Sequence, residues 1–202
     1  MFHVKHQALI KTFPDASANL ESYANWLATE GVIRGLIGPR EVDRIWDRHI
    51  ANCAVMAELI PNQASVIDIG SGAGLPGLVL AIVRPDCQVT LVEPLLRRSE
   101  FLQEVVTDLG LPNVTVIRGR AEQVKDRKAR IVTARAVAPL EKLLGWAMPL
   151  VEPGGELLAM KGSNAAQEIA DAQAKLSKYQ VEICQVGQGV VDPLTTIVRV
   201  SR

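Results

Sequence analysis

From Ser65 onward, short apolar runs alternate with longer amphipathic segments, a pattern that is typical of an α/β protein. Each short run predicts a buried strand, and each longer segment predicts a helix. Strands that alternate with helices favour a doubly wound, mainly parallel sheet with right-handed crossovers. The last two strands have no helix between them, so we expect them to pair antiparallel. The predicted strands span residues 66–69, 89–92, 114–117, 131–133, 156–160, 181–186 and 195–200.

Helical patterns precede and separate these strands. Ser17 or Asn19 is placed to cap a first helix, and a second one at about residues 40–59 carries an apolar stripe at steps of three and four. We therefore expect a helical extension at 1–62 packed on a core domain at 63–202. The later predicted helices span about residues 76–83, 95–109, 121–128, 140–148 and 165–179, with a turn at 152–155.

A glycine-rich turn follows the first predicted strand directly. Glycines stand at alternate positions, Gly70, Gly72 and Gly74, where backbone N–H groups can face a ligand that no Cβ atom keeps away. Glu93 ends the next strand, 23 residues after Gly70, close to the ~20 residues expected for an acid that binds ribose hydroxyls. The alternative is an α/β turn that binds no nucleotide. A dinucleotide site has its third glycine one residue later, where Leu75 stands, which argues against a nicotinamide-dependent oxidoreductase.

The spacing Asp68-x-Gly70-x-Gly72-x-Gly74 resembles the S-adenosylmethionine (AdoMet) loop of methyltransferases. Four blocks together resemble the glucose-inhibited division protein B (GidB) family, which uses AdoMet to methylate guanine N7 in 16S ribosomal RNA. The resemblance covers about residues 20–200 and implies a seven-stranded, Rossmann-like class I methyltransferase sheet. The chain departs from the family at Ala129-Arg130, where an acidic residue is common. The four blocks are residues 46–52, 70–77, 118–122, and Arg135-Ala136 followed by Lys161-Gly162.

The resemblance also implies which part of AdoMet each strand end would contact. Gly70 and Leu75 would line its methionine end, Glu93 would hold the ribose, and Ala121 with Glu122 would meet the adenine. The alternative for Ala121 and Glu122 is an ordinary helix start. The family has a cofactor-facing arginine at the position of Arg135, and the alternative for Arg135 is an ion pair with a nearby acid. The expected cofactor-binding residues are Gly70, Gly72, Gly74, Leu75, Glu93, Ala121, Glu122 and Arg135.

Guanine N7 carries a free lone pair, so its methylation needs positioning rather than a general base. Arg135 and Lys161 are the expected catalytic residues, which would orient the substrate through a phosphate or the base O6 atom. Residues 134–137 contain no Asn-Pro-Pro-Tyr-like motif, and no cysteine ends a central strand, which argues against amine and pyrimidine C5 methylation. No metal site is expected.

Arginines at steps of four on the second helix are candidates for binding RNA phosphates. The alternative is a solvated face on which Asp43 and Asp47 each pair with the arginine three residues earlier. His49 and Trp46 lie on the apolar stripe, so packing competes with a catalytic or stacking role. The expected RNA-binding residues are Arg40, Arg44, Arg48, Arg97 and Arg98, with Arg118 and Arg120 as further candidates.

The amino-acid composition excludes several classes of function. Lysine plus arginine and aspartate plus glutamate number 22 each, so a general polyanion binder is excluded and any basic surface must be local. Three scattered cysteines read as reduced core thiols, and no apolar run approaches the ~18 residues of a membrane span. With no signal-peptide core at the start, we expect a cytoplasmic monomer that acts on 16S ribosomal RNA or the small ribosomal subunit, away from membranes. A small-molecule AdoMet methyltransferase and a non-catalytic RNA-binding module stay open as alternatives.

Overall fold

The structure is a computed structural model that describes residues 2–124 and 126–202, with side chains from residue 6 onward; Met1 and Lys125 lie outside it. The described residues form a seven-stranded sheet of β1 (Ser65–Ile69), β2 (Gln88–Glu93), β3 (Val114–Arg118), β4 (Ala129–Arg135), β5 (Val151–Lys161), β6 (Gln180–Val186) and β7 (Thr195–Ser201). The strands lie in the order β3-β2-β1-β4-β5-β7-β6.

The sheet confirms the predicted doubly wound topology. Strands β1 to β5 pair in parallel, whereas β7 runs antiparallel to both β5 and β6. The chain proceeds from β1 to β2 and β3 on one side, then returns to β4 on the other side of β1. Strand order therefore reverses between β1 and β4, which opens a crevice at their carboxyl ends.

Helices cover both faces of the sheet. Alternate side chains of β1 separate two apolar cores: Val66 belongs to the one that includes the N-terminal helices, and Ile67 belongs to the other. The N-terminal helices thus pack on the same face as the helices at Gly77–Val83 and Leu96–Asp108. Among the described residues, no helix is long and apolar enough to cross a membrane. The helices are α1 (Phe2–Thr12), α2 (Ser17–Trp26), α3 (Ala51–Ala54), α4 (Gly77–Val83), α5 (Leu96–Asp108), α6 (Leu140–Ala147), α7 (Ala165–Asp171) and α8 (Gln173–Leu176).

The prediction of one regular helix at 40–59 is wrong, because the structure divides this stretch into four helical segments of different geometry. A 3-10 segment (Pro39–Arg44), a π-helical turn (Ile45–Ile50), α3 and a second 3-10 segment (Val55–Leu59) follow one another. The wider π turn changes the angular phase of the chain, and π turns are common at functional sites. Within this turn His49 is buried, as are the first and last residues, Ile45 and Ile50.

Other boundaries also differ. Ser17 does not cap α2, because its hydroxyl donates to the Pro14 carbonyl oxygen behind it at 2.9 Å. The turn predicted at 152–155 lies within β5, where the pairing with β4 shifts register. A Cβ atom on Gly155 would lie 2.6 Å from the Arg130 carbonyl oxygen, so only glycine lets the strands stay paired there.

Two predicted helices are shorter in the structure. Residues 165–179 form α7 and α8 instead of one helix, because the backbone of Ala172 leaves helical geometry at ψ 4°. The helix predicted at 121–128 is reduced to the 3-10 turn Ala121–Gln123, and Lys125 of that segment lies outside the described residues.

Candidate active site

Two adjoining cavities open at the carboxyl edge of the sheet. The smaller, about 250 Å³, is lined by residues that follow β1, β2, β3 and β4. The larger, about 1250 Å³, extends from β4 over β5 and β7 toward the π-helical turn. Val137 lines both cavities, so they meet at the chain segment after β4. Below, the smaller is called the small cavity and the larger the basic cleft.

The glycine loop shapes the wall between these cavities. Gly70 has a φ of +67°, and a Cβ atom there would lie 2.8 Å from Val137 Cγ2. Ala136 adopts a φ of +53°, a left-handed backbone that is rare for alanine and often marks functional sites. This reversal after β4 brings Val137 against the loop. Glycine is therefore required at position 70 by both its backbone and its neighbour.

The later loop residues serve packing. A Cβ atom on Gly74 would lie 2.3 Å from Leu78 Cδ1 and 3.0 Å from the Tyr23 hydroxyl oxygen. The Tyr23 hydroxyl donates to the Ala73 carbonyl oxygen at 2.8 Å, so α2 anchors the loop. Leu75 is half-buried against the core. Helical spacing marks Tyr23 as an apolar position of the first helix but does not predict its hydrogen bond to the loop. The cofactor roles of Gly74 and Leu75 stay predictions.

Glu93 is buried, at 1% exposure, between Val92 and Pro94, which both line the small cavity. Its Oε2 atom accepts the Gly72 N–H at 2.8 Å, and its Oε1 atom accepts the Leu95 N–H at 3.0 Å. No cation of the described residues is ion-paired with this carboxylate, and each oxygen has a further lone pair for a hydroxyl donor. The arrangement suits a ribose diol, and the ribose-binding role of Glu93 stays a prediction.

The small cavity fits an adenosyl group. Apolar Ile69, Val92 and Trp146 form much of its wall, and the 3-10 turn Ala121–Gln123 closes one end with Ala121 and Glu122. Flat apolar walls with a carboxylate at the rim are what a purine nucleoside needs. The structure thus brings Gly70, Glu93 and the 121–122 pair together. Trp146 comes from α6 and was not marked by any motif.

Asp68 lies beneath the glycine loop with no exposed surface. Its Oδ2 atom accepts the Gly77 N–H at 3.1 Å, while Oδ1 has no hydrogen-bond partner among the described residues. Burial raises the pKa of Asp68 to about 7, because desolvation outweighs the hydrogen bonds that favour the anion. The carboxyl is therefore poised between its two charge states near neutral pH.

Asp68→Asn is expected to change how stability depends on pH. The folded-state pKa lies above the unfolded value, so the unfolded chain ionises first and wild-type stability falls as pH rises from about 4 to about 7. The neutral asparagine keeps an acceptor for Gly77 and avoids this loss. At about pH 8 we expect the variant to be more stable by up to about 4 kcal/mol, with the gap closing near pH 4. Urea unfolding at both pH values measures it, and an equal gap at both would contradict the ionisation argument.

The basic cleft contains four of the predicted cationic residues. Arg44 and Arg48 enter it from the helical segment, Arg135 from the end of β4 and Lys161 from the end of β5. Lys161 is ion-paired with Glu168 at 2.7 Å and donates to the Ala138 carbonyl oxygen at 2.8 Å. Arg135 instead contacts neutral acceptors. The two predicted catalytic residues therefore lie together; Lys161 is paired with a carboxylate, whereas the described hydrogen-bond partners of Arg135 are neutral.

The predicted RNA-binding arginines divide into two groups. Arg44 is exposed and lines the cleft, and Arg48 lines it while pairing with Glu41 at 3.0 Å. The alternative pairs with Asp43 and Asp47 do not form among the described residues, and one oxygen of Asp47 is buried without a partner. Arg40, Arg97 and Arg98 do not line the cleft, and neither do Arg118 and Arg120.

The aromatic residues of the second predicted helix are packed. His49 is buried at 8% exposure, and its Nε2 atom lies 3.0 Å from Glu41 Oε2. Burial first, and then the charge of Arg135, lower the pKa of His49 to about 4. The Trp46 ring packs against the His6 ring in a tilted arrangement, with centroids 4.1 Å apart and an interplanar angle of 43°. These contacts favour the packing interpretation for both side chains.

Cys53 and Cys87 are buried free thiols, and Cys184 is half-buried. Within the described part of the chain, no group of three or more His, Cys, Asp or Glu side chains could hold a metal ion.

The chain is similar to known proteins over most of its length. The family model GidB, described as rRNA small subunit methyltransferase G, matches residues 16–191. The ribosomal RNA small subunit methyltransferase G of Thermobifida fusca is 56% identical over 202 residues, which cover 98% of this chain and 85% of that protein. The protein of the same name from Streptomyces avermitilis is 55% identical over 196 residues, or 95% of this chain and 82% of that protein.

Solved structures share the fold at much lower identity. A precorrin-6y C5,15-methyltransferase from Geobacter metallireducens matches 83% of this chain and 90% of its own chain with a TM-score of 0.56 and 15% identity. At that identity the likeness concerns architecture alone. It confirms the seven-stranded, Rossmann-like class I sheet.

Proposed function

The chain belongs to the GidB family, rRNA small subunit methyltransferase G, and we propose that it transfers a methyl group from AdoMet to N7 of a specific guanine in 16S ribosomal RNA. One observation carries the proposal from the structural side: an arginine-lined cleft adjoins the small cavity at Val137. A small-molecule methyltransferase needs no such open basic surface.

In this proposal the small cavity holds the adenosyl part of AdoMet. Glu93 accepts the ribose hydroxyls, and Ala121 with Glu122 flank the adenine. Gly70 and Val137, which pack against each other, line the cavity on the side where the methionine end would lie. The bound sulfonium supplies an electrophilic methyl group. The buried carboxylate and the glycine loop fix where that group lies relative to the basic cleft.

The basic cleft positions the RNA. Arg44 and Arg48 stand at its edge, where they can contact phosphates by charge-assisted hydrogen bonds. Arg135 lies deeper, at the carboxyl end of β4, and its guanidinium can donate to guanine O6. Lys161 can join it only when it exchanges its contact with Glu168 for the substrate. We therefore assign the main orienting role to Arg135.

Methylation of guanine N7 requires few other groups from the chain. Guanine N7 has an available lone pair, so no side chain has to remove a proton from the nucleophile. Holding two reactants in line can lower a barrier by as much as ~7–11 kcal/mol. Residues that fix the base and the cofactor are therefore sufficient. We further propose that the protein acts as a monomer in the cytoplasm, on 16S ribosomal RNA or the small ribosomal subunit.

The proposal is tested with purified protein, methyl-labelled AdoMet and small ribosomal subunits from cells that lack this gene. We expect label in the 16S RNA, at one guanine that becomes sensitive to reduction and aniline cleavage as 7-methylguanine does. Label on another base atom would overturn the N7 assignment. Binding of AdoMet without labelled RNA would favour the small-molecule alternative.

Arg44→Glu is expected to weaken RNA binding about 10-fold and to leave AdoMet affinity unchanged, because a hydrogen bond to a charged group contributes about 1.5–3 kcal/mol. The slope of log affinity against log salt concentration should also fall by about 1. Filter binding over a salt series measures both.

Arg127→Glu provides the matched control. This exposed arginine precedes β4 and therefore lies at the amino-terminal edge of the sheet, opposite the cleft, while the charge change is the same. Equal losses in the two variants would mean that the protein responds to net charge and not to the cleft.

A further inference from the structure

Arg135 is held in the basic cleft by neutral groups. Its Nη2 atom lies 2.5 Å from His49 Nδ1 and 3.4 Å from the Arg48 carbonyl oxygen, and its Nη1 atom lies 3.3 Å from Cys53 Sγ. An imidazole, a carbonyl and a thiol fix the guanidinium without cancelling its charge. Lys161, one strand away, is fixed by the carboxylate of Glu168.

The contact with Arg135 determines the protonation of His49. A guanidinium has only N–H groups to offer, so the imidazole Nδ1 atom must carry the lone pair. The ring proton then sits on Nε2 and is donated to Glu41 Oε2 at 3.0 Å. A protonated ring would place an N–H against the N–H of Arg135. With a pKa of about 4, His49 is neutral at physiological pH.

Glu41 completes the arrangement from the preceding 3-10 segment. One of its oxygens accepts from His49 and the other from Arg48, so its charge is shared with a cation at the edge of the cleft. The charged groups around His49 are Glu41, Arg48 and Arg135. The acid thus orients the imidazole, and the imidazole orients Arg135.

We propose that Glu41 and His49 are positioning residues for methyl transfer, which act by holding Arg135 so that an uncompensated guanidinium faces the substrate. This inference rests on the proposed function. A free arginine has many rotamers to lose, and a held one has already lost them. Misplacement of such a group by about 1 Å can cost up to about 100-fold in rate.

Two substitutions of His49 separate the two hydrogen bonds. In His49→Asn the amide oxygen comes near the place of Nδ1 and can accept from Arg135. In His49→Gln the amide comes near the place of Nε2, so it can reach Glu41 but leaves Arg135 without its acceptor. At saturating AdoMet and RNA, we expect kcat to fall by about 10- to 100-fold in His49→Gln and by clearly less in His49→Asn.

A double-mutant cycle tests whether His49 acts through Arg135. In an Arg135→Gln background, His49→Gln should cost little further in kcat, because the group it positions is gone. A merely structural role would lower kcat or stability equally in both His49 variants and in both backgrounds. Either of those results would overturn the proposal.

The protonation state of His49 can be measured without RNA, so this test is independent of the proposed function. Nitrogen NMR of the wild-type protein should show the His49 proton on Nε2 and no titration of that ring above about pH 5. Arg135→Gln should raise the His49 pKa, since it removes a nearby positive charge. A proton on Nδ1, or an unchanged pKa, would overturn the inference. A wild-type protein that shows this NMR pattern but leaves 16S RNA unmethylated would instead fail the proposed function.

Discussion

Glu93→Ala is expected to weaken AdoMet binding by about 10- to 100-fold. A hydrogen bond to a charged group contributes about 1.5–3 kcal/mol, and the proposal gives this carboxylate the ribose hydroxyls. The substitution also leaves the Gly72 and Leu95 N–H groups without the oxygens that accept them now. The glycine loop would therefore lose one of its hydrogen bonds to β2 as well as its ligand contact, while the Gly70 and Ser71 N–H groups would still donate to the Val92 carbonyl oxygen. Isothermal titration calorimetry measures the affinity.

Two further variants test whether the loss of AdoMet affinity comes from the Glu93 carboxylate. Glu93→Gln keeps one carbonyl oxygen for a loop N–H, so its affinity should fall between those of wild type and Glu93→Ala. Glu100→Ala removes an exposed glutamate on α5, a few residues beyond the site, and should bind AdoMet as wild type does. An unaltered affinity in Glu93→Ala would remove this residue from the ribose site.

Much of the fold and of the small cavity is readable from the sequence because both depend on local order along the chain. Apolar runs alternating with helices specify parallel strands, and the residues after those strands must then meet at one edge. The position of Glu93 relative to Gly70 follows from this rule. Its carboxylate accepts the Gly72 N–H of the glycine loop, and its role toward the ribose stays a prediction.

The basic cleft was less predictable because it depends on helical phase. A step of four places Arg40, Arg44 and Arg48 on one face only if the helix is regular. The 3-10 and π turns change that phase, and Arg40 is left outside the cleft. Periodicity cannot reveal such turns, since they arise from how the segment packs against the sheet.

Contacts between distant residues were beyond the reach of sequence patterns. The hydrogen bond from Arg135 to His49 joins residues 86 apart, and the one from Tyr23 to Ala73 joins residues 50 apart. Each depends on which face of an N-terminal helix meets which strand end. A sequence shows that a helix has an apolar face but not what that face will contact.

Gly77→Ala is expected to destabilise the protein by about 1–3 kcal/mol or more, as overpacked cores do. The new Cβ atom would lie 2.3 Å from Leu91 Cδ2 and 2.7 Å from Asp68 Oδ2. Leu91 has no exposed surface into which it can turn, and Asp68 Oδ2 is the acceptor for the Gly77 N–H. Relief of the clash must therefore move α4 away from β1 and β2. Since a domain of this size changes its Tm by about 2–4 °C per kcal/mol, we expect a fall of about 2–12 °C by calorimetry.

Gly145→Ala is the matched control, with the same added methyl group. Gly145 lies in α6, is exposed, and a Cβ atom there would meet nothing within 4 Å. A glycine in a helix interior weakens the helix by about 0.5–1 kcal/mol relative to alanine, so this variant should be more stable than wild type. The two substitutions are thus expected to shift Tm in opposite directions, because one position holds a helix against two strands and the other faces solvent. If both variants melted at the same temperature, close packing at Gly77 would not explain why the loop ends in glycine.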